Sequence, residues 1–479
     1  EGKQTSFLDT EEMQRVNAFD WEREFPEIFK AGGFDAVIGN PPYLNIDDVW
    51  GKGDIRLKTL KNMYPEIYND KTDILFYFLL KAAVLSKNYV SFIISRAFLE
   101  AYKADRLRTW LLSNTVIQEI VDFQNYYIFK GVGITTSIIK LCKDKPPPYF
   151  DVYKLKNENQ VDEEISYDLV NIKSNFEHYK VKQSDLSGAS WTFVNQTDKD
   201  IIKKIDSLGV SIGDILLIGQ GMQTGRNDVF GKRNIKELRQ WNVLKSQYYK
   251  RASNSDIQRY SVRDRGEYLL YLENVEEFNT LTSGIQKHLK DNAEALKERA
   301  AFQRGNCLWW KYTWPLHKEF YSSPKIMCPY LSKYNRFAID QSCEYIGLTD
   351  TTVLFENKQP ENLHYLLGLL NSQLLTFRYK SIGKLKSGGV LEYFWNGVSK
   401  LPIRRIDFNK TDEKKMHDNM VQLVEQMLSL NKQLTEAKID HDQTLIQRQI
   451  DATDNQIDKL VYELYDLTPE EIAIVEKSI

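Results

Sequence analysis

Short apolar runs alternate with amphipathic stretches along the first 145 residues. Runs of strand type cover Phe34–Gly39, 89–95, 116–123 and 134–142, and stretches of helical spacing cover 72–86 and 96–112. This alternation predicts a largely parallel sheet covered by helices. Only about ten residues separate the last two strands, so these two favour an antiparallel pair.

The pattern changes after this region. Three prolines at 146–148 cannot continue a helix or a central strand, and they predict a domain boundary. Residues 149–210 are polar and mixed, as is typical of a connecting region. Beyond Ser211 the chain becomes aromatic, strand-rich and punctuated by glycine, with two helical stretches at 285–304 and 363–380.

The end of the chain has helical periodicity throughout. Apolar residues recur at spacings of three and four from Met416 onward, and neither Gly nor Pro occurs between Thr411 and Thr468. Two long helices in an antiparallel hairpin are therefore expected. The predicted organisation is an α/β domain at 1–145, a connecting region at 146–210, a mixed α/β domain at 211–406 and a helical segment at 407–479.

Composition narrows the class of protein. The 479 residues are 42% hydrophobic and 27% charged, which excludes a disordered, collagen-like or disulfide-scaffold chain. No apolar run approaches the length of a membrane span, and no secretory signal is evident. Four widely spaced cysteines without a C-x-x-C pair favour a reducing, cytoplasmic setting and argue against zinc or another bound metal. The net charge of −2 neither indicates nor excludes a nucleic-acid partner.

The strongest chemical signal is the run Asn40-Pro41-Pro42-Tyr43, directly after the first strand. Two consecutive prolines force a rigid, extended turn at the carboxyl end of that strand, where open α/β sheets bind their ligands. The side-chain oxygen of Asn40 and the carbonyl of Pro41 are two acceptors that suit a planar amino group. Tyr43 offers a flat face on which a ring can stack.

This combination suits an exocyclic amine on a nucleobase. Hydrogen bonds to both amino protons would bring the nitrogen lone pair out of conjugation, so that it could attack an electrophilic methyl group. The base would have to leave the helix stack to reach such a pocket. The alternative interpretation is a proline-stiffened loop with a buried tyrosine.

The segment FDAVIGNPPY resembles the catalytic motif of the gamma-class adenine-N6 DNA methyltransferases, and EFPEIFKAGGFDAVIGNPPY resembles their fused restriction–modification (type IIG) members. The resemblance implies a partial Rossmann-like methyltransferase domain at 1–145, S-adenosylmethionine as cofactor and double-stranded DNA as partner. Asn40 and Pro41 would bind the adenine amine, and Pro42 belongs to the same catalytic motif. Asn40 would also border the cofactor, and Tyr43 would stack on the base.

Further residues acquire roles from the same resemblance. Phe129, in the run YYIFKGVGITT, matches the aromatic residue that packs on the flipped adenine. Asp20 would accept a hydrogen bond from the amino group of the cofactor, and Trp21 would stack on its adenine ring. The alternatives are a core aromatic after a strand for Phe129, and a surface turn with an anchoring tryptophan for the other two.

One part of the family pattern is missing. The glycine-rich cofactor loop should precede Asn40, but none of the 39 residues before it spells such a loop. We therefore expect this chain to be the carboxyl-terminal part of a larger enzyme. Its partner would be an amino-terminal half, or preceding domains, that carry the loop and, in some arrangements, a nuclease.

The region 211–406 resembles the target-recognition domain of the same enzymes, in segments such as 216–230 and 255–260. Residues 226–265 hold eleven Lys or Arg and only four acids, a net charge of +7 in a chain of net −2. Such side chains neutralise phosphates and read base edges, although a basic run can also be a solvated face. The DNA-binding candidates are Gln223, Thr224, Arg226, Asn227, Arg251, Arg259, Arg263 and Arg265, with Lys384 and Lys386 in a second basic loop that could equally be an exposed hairpin.

The leading hypothesis is therefore a site-specific adenine DNA methyltransferase, part of a restriction–modification enzyme. The main alternative is a DNA-recognition module that serves a partner chain and has no catalysis of its own. A third hypothesis is a helical adaptor between proteins, without a nucleic-acid role. The predicted fold has no membrane-bound part.

Overall fold

The computed structural model describes residues 19–478 except 52, 70–71, 125, 130, 132, 144–147, 157–174, 232, 357–361 and 387–388. The predicted boundary at Pro146 and Pro147 lies outside these residues. The chain divides into two compact units, Glu1–Phe193 and Val194–Ile479.

A six-stranded mixed sheet organises the first unit. Its strands are β1 Phe34–Gly39, β2 Ser86–Ser95, β3 Val116–Asp122, β4 Thr136–Cys142, β5 Phe150–Leu155 and β6 Phe176–Val181. Their spatial order is β1-β2-β4-β3-β5-β6. β1, β2, β3 and β5 run in one direction, and β4 and β6 run in the other. The predicted α/β sheet and the antiparallel pairing of β3 with β4 are confirmed.

The first unit extends farther than the sequence suggested. β5 and β6 lie within 146–210, where the sequence predicts a connecting region, and the unit ends at Phe193. Phe176 and Leu155 pack on Phe123 beneath these strands. In β6 only the first of its six residues, Phe176, is buried, and the following positions are polar or half-buried. A strand with so few apolar positions has no clear hydrophobic pattern in the sequence.

Helices cover the sheet of the first unit. They are α1 Trp21–Glu24, α2 Pro26–Lys30, α3 Ile46–Trp50, α4 Ile55–Met63, α5 Leu75–Leu85, α6 Ala97–Glu100 and α7 Asp105–Asn114. The apolar stretch at 72–86 forms α5, as expected. The single helix expected at 96–112 is instead the two helices α6 and α7, and the buried guanidinium of Arg108 donates to the carbonyls of Phe98 at 2.8 Å and Ala101 at 3.0 Å, at the end of α6. These acceptors are available only where the helix has ended.

The described residues of the second unit form four small sheets. Its strands are β7 Val210–Ser211, β8 Leu216–Gln220, β9 Tyr248–Ala252, β10 Tyr268–Leu270, β11 Lys325–Pro329, β12 Leu331–Ser332, β13 Ala338–Asp340, β14 Tyr345–Gly347, β15 Thr351–Glu356, β16 Lys384–Lys386, β17 Val390–Glu392 and β18 Pro402–Ile403. They form the sheets β13-β11-β15-β8, β10-β9-β14, β12-β17-β16 and β18-β7. The mixed α/β character expected for 211–406 is present.

Helices follow and separate these sheets. They are α8 Gln196–Leu208, α9 Ile212–Ile215, α10 Asn227–Phe230, α11 Ile235–Gln240, α12 Ser283–Asp291, α13 Ala293–Lys297, α14 Ala300–Gln303, α15 Leu363–Asn371, α16 Gln373–Lys380, α17 Trp395–Val398, α18 Thr411–Glu436, α19 Asp440–Leu464 and α20 Pro469–Lys477. The predicted carboxyl-terminal hairpin is confirmed as α18 and α19, which pack side by side. In the described part of the chain, no helix is both long and apolar enough to cross a membrane.

Hydrogen bonds and ion pairs tie the hairpin to the rest of the second unit. Arg259 forms a two-pronged ion pair with Asp454 on α19, with N···O distances of 2.5 and 2.6 Å. Asp458, one turn farther along α19, accepts from the backbone and side-chain amides of Gln373 at 2.8 and 2.9 Å. Gly368 on α15 leaves room for Met420 of α18. The helical tail is therefore a packed part of this unit.

Candidate functional site

Asn40, Pro41, Pro42 and Tyr43 follow β1 at its carboxyl end. The hydroxyl of Tyr43 donates to the Oδ1 atom of Asn40 at 2.6 Å and lies 3.2 Å from the carbonyl oxygen of Ile93 in β2. A hydroxyl carries one proton, so the shorter contact with Asn40 is the stronger one. Asn40 and Pro42 are exposed, whereas Pro41 is buried. The asparagine amide is thus held at the surface by the tyrosine of its own motif.

Asp73 fixes the chain that follows the motif. Its Oδ1 atom accepts the backbone N–H groups of Leu44 and Leu75, each at 3.0 Å. The N–H of Ile74 donates in turn to the carbonyl of Leu44 at 2.9 Å. Burial raises the pKa of Asp73, and burial together with this carboxyl raises the pKa of Tyr43. Tyr43 therefore remains a hydroxyl donor at neutral pH.

Sequence reasoning missed Asp73. The available signal was an acidic residue immediately before a strongly apolar helix, a position typical of helix capping.

A buried charged cluster joins the carboxyl ends of β2 and β3. Arg96 donates to both carboxylate oxygens of Asp122, at 2.7 and 3.1 Å, and to Glu100 at 2.5 Å. Burial opposes the charge of Arg96, but the two carboxylates outweigh burial and raise its pKa. The backbone N–H of Arg96 also donates to the carbonyl of Thr135. This cluster fixes the geometry of the sheet edge at which Asn40 lies, and sequence analysis did not single it out.

Phe129 lies at the same edge of the sheet. It belongs to the loop from residue 123 to residue 135 that joins β3 to β4, and β3 runs parallel to β1 and β2. Tyr126 and Ile128 pack on the hydrophobic cluster that contains Phe123, and Phe129 itself is half-buried. The structure thus brings the loop of Phe129 to the edge at which the Asn40–Tyr43 segment begins.

Asp20 and Trp21 lie at the opposite end of β1. The Oδ1 atom of Asp20 accepts backbone N–H groups of α1, which it caps. The Trp21 ring meets the ring of Phe34 edge-on, with centroids 5.8 Å apart. Phe34 is the first residue of β1, and Asn40 follows its last, so about 20 Å of extended strand separates them. The structure does not bring these two residues to Asn40.

β1 is an edge strand with an exposed face. It pairs with β2 on one side, and no strand pairs with its other edge in the part of the chain that the structure describes. Ile38 is 84% exposed, and Phe19 and Phe25 are also exposed near the start of the strand. Unpaired backbone groups beside exposed apolar side chains are typical of a surface that another element covers.

The glycines of the Leu216–Gln220 strand and the loop after it pack inside the second unit. A side chain at Gly219 would collide with the ring of His317, and one at Gly221 would collide with the carbonyl of Leu348. Gly225 has a positive φ of 77° and lies against Thr313. Their spacing therefore reflects close packing within the domain.

The residues around Gly225 differ in their access to a ligand. Gln223 and Asn227 are exposed. Thr224 is buried, and its hydroxyl donates to Asn227 at 2.5 Å and accepts from the backbone of Arg226 at 3.1 Å. Arg226 forms an ion pair with Asp228 at 2.6 Å. Thr224 therefore shapes this loop and does not present its side chain to a partner.

Ion pairs neutralise much of the basic run. Arg259 pairs with Asp454, Arg265 with Asp256, Arg251 with Glu267 and Lys386 with Glu392. Glu267 and Asp454 lie outside 226–265, so the sequence charge of that run overstates the local field. Arg263 is exposed, and no ion pair involves it in the described part of the chain. Lys384 and Lys386 lie on β16, in a short hairpin with β17.

Two protein-family models match the chain. Residues 2–129 match the Eco57I restriction-modification methylase, and residues 252–403 match the TaqI-like C-terminal specificity domain. The first match contains Asn40 and Tyr43, and the second contains Arg259, Arg263 and the β16–β17 hairpin. The chain therefore combines an Eco57I-like methylase domain with a TaqI-like specificity domain.

Similar proteins are type II restriction–modification methyltransferases. The type II methyltransferase M.HindII of Haemophilus influenzae is 26% identical over 425 residues, which cover 83% of this chain and 79% of that protein. The type II restriction enzyme and methyltransferase RM.Eco57I of Escherichia coli is 22% identical over 91% of this chain, which spans 46% of the relative. The solved structure of the Type IIL restriction–modification enzyme MmeI with DNA has the same fold, with a TM-score of 0.62, 12% identity and 96% of this chain covered, against 58% of that chain.

Proposed function

We propose that this protein is a site-specific DNA methyltransferase that transfers a methyl group from S-adenosylmethionine to N6 of an adenine flipped out of duplex DNA. It acts within a restriction–modification enzyme of the fused, type IIG kind. The observation that carries this proposal is the hydrogen bond of 2.6 Å between Tyr43 and Asn40 at the carboxyl end of β1. It presents an amide acceptor and an aromatic ring side by side.

A flipped adenine would replace the Tyr43 hydroxyl at Asn40. Its amino group has two N–H donors, which Asn40 Oδ1 and the carbonyl of Pro41 accept. The hydroxyl of Tyr43 then donates to the carbonyl of Ile93, already 3.2 Å away, so the ring stays in place to stack on the base. Phe129, on the loop at the same edge, contacts the other face of the base.

The two acceptors prepare the amine for reaction. Hydrogen bonds to both amino protons favour a nitrogen whose lone pair points away from the base ring, and fixed acceptors need no rearrangement during the reaction. S-adenosylmethionine supplies an electrophilic methyl group. A general base is not required, since the amine proton can leave after the methyl group has arrived.

The remaining cofactor contacts come from another segment. We assign the glycine-rich loop to an amino-terminal half, or to preceding domains, that add a strand to the free edge of β1. The exposed Ile38 and the unpaired backbone of that edge support this assignment. Asp20 and Trp21, at the amino end of β1, belong to the surface that this other segment contacts. A nuclease, where one is present, is part of that other segment.

The second unit recognises the DNA. Its match to the TaqI-like specificity domain and the exposure of Gln223, Asn227 and Arg263 support this role. Arg226, Arg251, Arg265, Lys384 and Lys386 add cations that can exchange their protein partners for phosphates. Thr224 and Arg259 have structural roles beneath this surface: Thr224 shapes its loop, and Arg259 pairs with Asp454. The alternative function is a recognition module without catalysis, favoured by the separation of Asp20 and Trp21 from Asn40.

The test is methyl transfer from labelled S-adenosylmethionine to mixed-sequence duplex DNA. The chain is assayed alone and with the protein segment encoded immediately before it, and the product is digested to nucleosides. Label in N6-methyladenine that appears with both segments and disappears in Asn40→Ala supports the proposal. Label in another base contradicts adenine specificity. Absence of label, with sequence-selective DNA binding retained, supports the recognition-module alternative.

A further inference from the structure

A tryptophan-rich segment of the second unit stands apart from the residues assigned so far. Trp309 and Trp310 pack on the ring of Phe278, with centroids 5.0 and 5.8 Å away. Trp314, by contrast, is not packed in the core and is 43% exposed. No aromatic ring contacts Trp314 in the part of the chain that the structure describes. A large flat apolar side chain is therefore left facing solvent.

Trp314 is paired with Gln223, one of the exposed polar residues. Each backbone N–H donates to the other residue's carbonyl at 2.9 Å, in an isolated antiparallel bridge. Residues directly opposite each other in an antiparallel pair point their side chains to the same face, with Cβ atoms about 5.5 Å apart. An exposed indole and an exposed amide thus stand next to each other, although 91 positions separate them in the sequence.

Buried Arg299 holds this pair in place. Its guanidinium donates to the carbonyls of Thr224 at 2.8 Å, Lys311 at 2.9 Å and Trp309 at 2.8 Å. It therefore fastens the loop that follows Gln223 to the loop that precedes Trp314. Burial lowers the pKa of Arg299, so the charge is retained there at a cost. A buried guanidinium that satisfies this many carbonyls makes a rigid support.

The chain segment around Trp314 carries several cations. Residues 299–318 contain Arg299, Arg304, Lys311 and Lys318, between the acids Glu298 and Glu319. Arg304 and Lys318 are exposed. A flat aromatic face, a neighbouring amide and flanking cations match the chemistry of a nucleic-acid base with its phosphates. A protein surface rich in acidic groups would match the cations but would leave the indole and amide unexplained.

We propose that Trp314 and Gln223 form a base-contacting centre of the specificity domain. The indole packs against a base of the target duplex, and the Gln223 amide hydrogen-bonds to the edge of a neighbouring base. Arg299 is the positioning residue that keeps the two side chains in register. This inference rests on the proposed function, because it assigns the residues by which the second unit reads its DNA.

The test begins with selection of bound sequences from a randomised duplex library by the full chain. Affinities of the wild type and Trp314→Ala are then measured for the selected duplex and for a scrambled duplex of equal length, at the same salt concentration. Contact between an aromatic ring and a base predicts a loss of about five- to 150-fold for the selected duplex. The scrambled duplex should bind within about twofold. Trp314→Phe keeps a flat ring and should lose less.

Phe408→Ala is the matched control, because this aromatic side chain of the same unit is 58% exposed and has no assigned role in DNA recognition. It should bind both duplexes as the wild type does. Unfolding midpoints show whether each variant is folded, and an exposed residue should leave them nearly unchanged.

Wild-type affinity of Trp314→Ala for the selected duplex would overturn the inference and leave the proposed function standing. An equal loss on both duplexes would also overturn it, because the indole would then not be reading bases. A wild-type chain that enriches no sequence would overturn DNA recognition by this chain, and the inference with it.

Discussion

The two units build their candidate sites in opposite ways. In the first, Asn40 and Tyr43 are three residues apart, and two prolines and one hydrogen bond set their geometry. In the second, Gln223 and Trp314 meet only because the fold pairs two distant segments. The residues of the first site are neighbours in the sequence, whereas those of the second come together only in the folded domain. A local motif can therefore reveal chemistry, but composition alone is a poor guide to a recognition surface.

The Asn40–Tyr43 site of the first unit should be the more sensitive to single substitutions. Asn40→Ala or Tyr43→Ala should lower the rate of methyl transfer by the complete enzyme about a hundredfold or more, since each removes a group that contacts the reacting base. Binding of duplex DNA should be nearly unchanged, because the second unit is untouched. Filter-binding and methyl-transfer assays on the same preparation give both values. Wild-type rates from Asn40→Ala would refute the assignment.

In the second unit, the largest effect should come from Arg299, which holds the segments of Gln223 and Trp314 together. Arg299→Leu leaves the carbonyls of Thr224, Lys311 and Trp309 buried without a donor, which should cost roughly 3 kcal/mol in the free energy of unfolding. Sequence-selective DNA affinity should fall with it. Chemical denaturation measures the first effect, and Arg304→Leu is the matched control, since that arginine is exposed. Equal stability of the two variants would show that Arg299 does not hold the surface together.

Arg259 and Arg263 separate structural from DNA-binding cations. Arg263→Ala should lower DNA affinity a few-fold and reduce the slope of log affinity against log salt by about one unit. Arg259→Ala removes the partner of Asp454, so it should reduce stability and leave the salt slope unchanged. Affinities at four salt concentrations, with melting curves, distinguish the two. A lower salt slope in Arg259→Ala would show that this arginine contacts phosphate.

The smallest expected effect concerns pH. Burial raises the pKa of Asp458 to about 6, above its ordinary value of 3.8. The folded state therefore favours the protonated carboxyl, and this contribution to stability is present below pH 3.8 and is lost as the pH rises through about 6. Asp458→Asn, which is always neutral, should narrow the difference in melting temperature between pH 5 and pH 7.5 by a few degrees. An unchanged difference would exclude Asp458 as its source.

Much of the first unit could be predicted from its sequence. The runs at Phe34–Gly39 and 116–123 are apolar enough to identify strands, and the Asn40–Tyr43 segment follows one of them without a gap. β6 was not predicted because only Phe176 in it is buried, and β5 was not predicted because it begins two residues after Pro148, where the prolines indicate a boundary. Asp20 and Trp21 were grouped with Asn40 by family resemblance, and the extended β1 between them is what separates them.

The second unit was harder to anticipate. The net charge of 226–265 could be counted, but the acids that neutralise Arg259 and Lys250 include Asp454 and Glu344, far along the chain. Likewise, the sequence around Arg299 does not reveal that the guanidinium of this residue joins two loops. Pairing partners of this kind depend on the tertiary fold, and no local pattern encodes them.

The position of β4 has a consequence for the order of folding. β4 follows β3 in the chain but lies between β2 and β3, and it pairs with both. During synthesis, β2 therefore has an open edge until Thr136–Cys142 has left the ribosome, and the loop that carries Phe129 has no fixed second end before then. Docking of β4 closes the edge and orders that loop in one step. A nascent chain that stops short of β4 would display the Asn40–Tyr43 segment before the second end of the Phe129 loop is anchored.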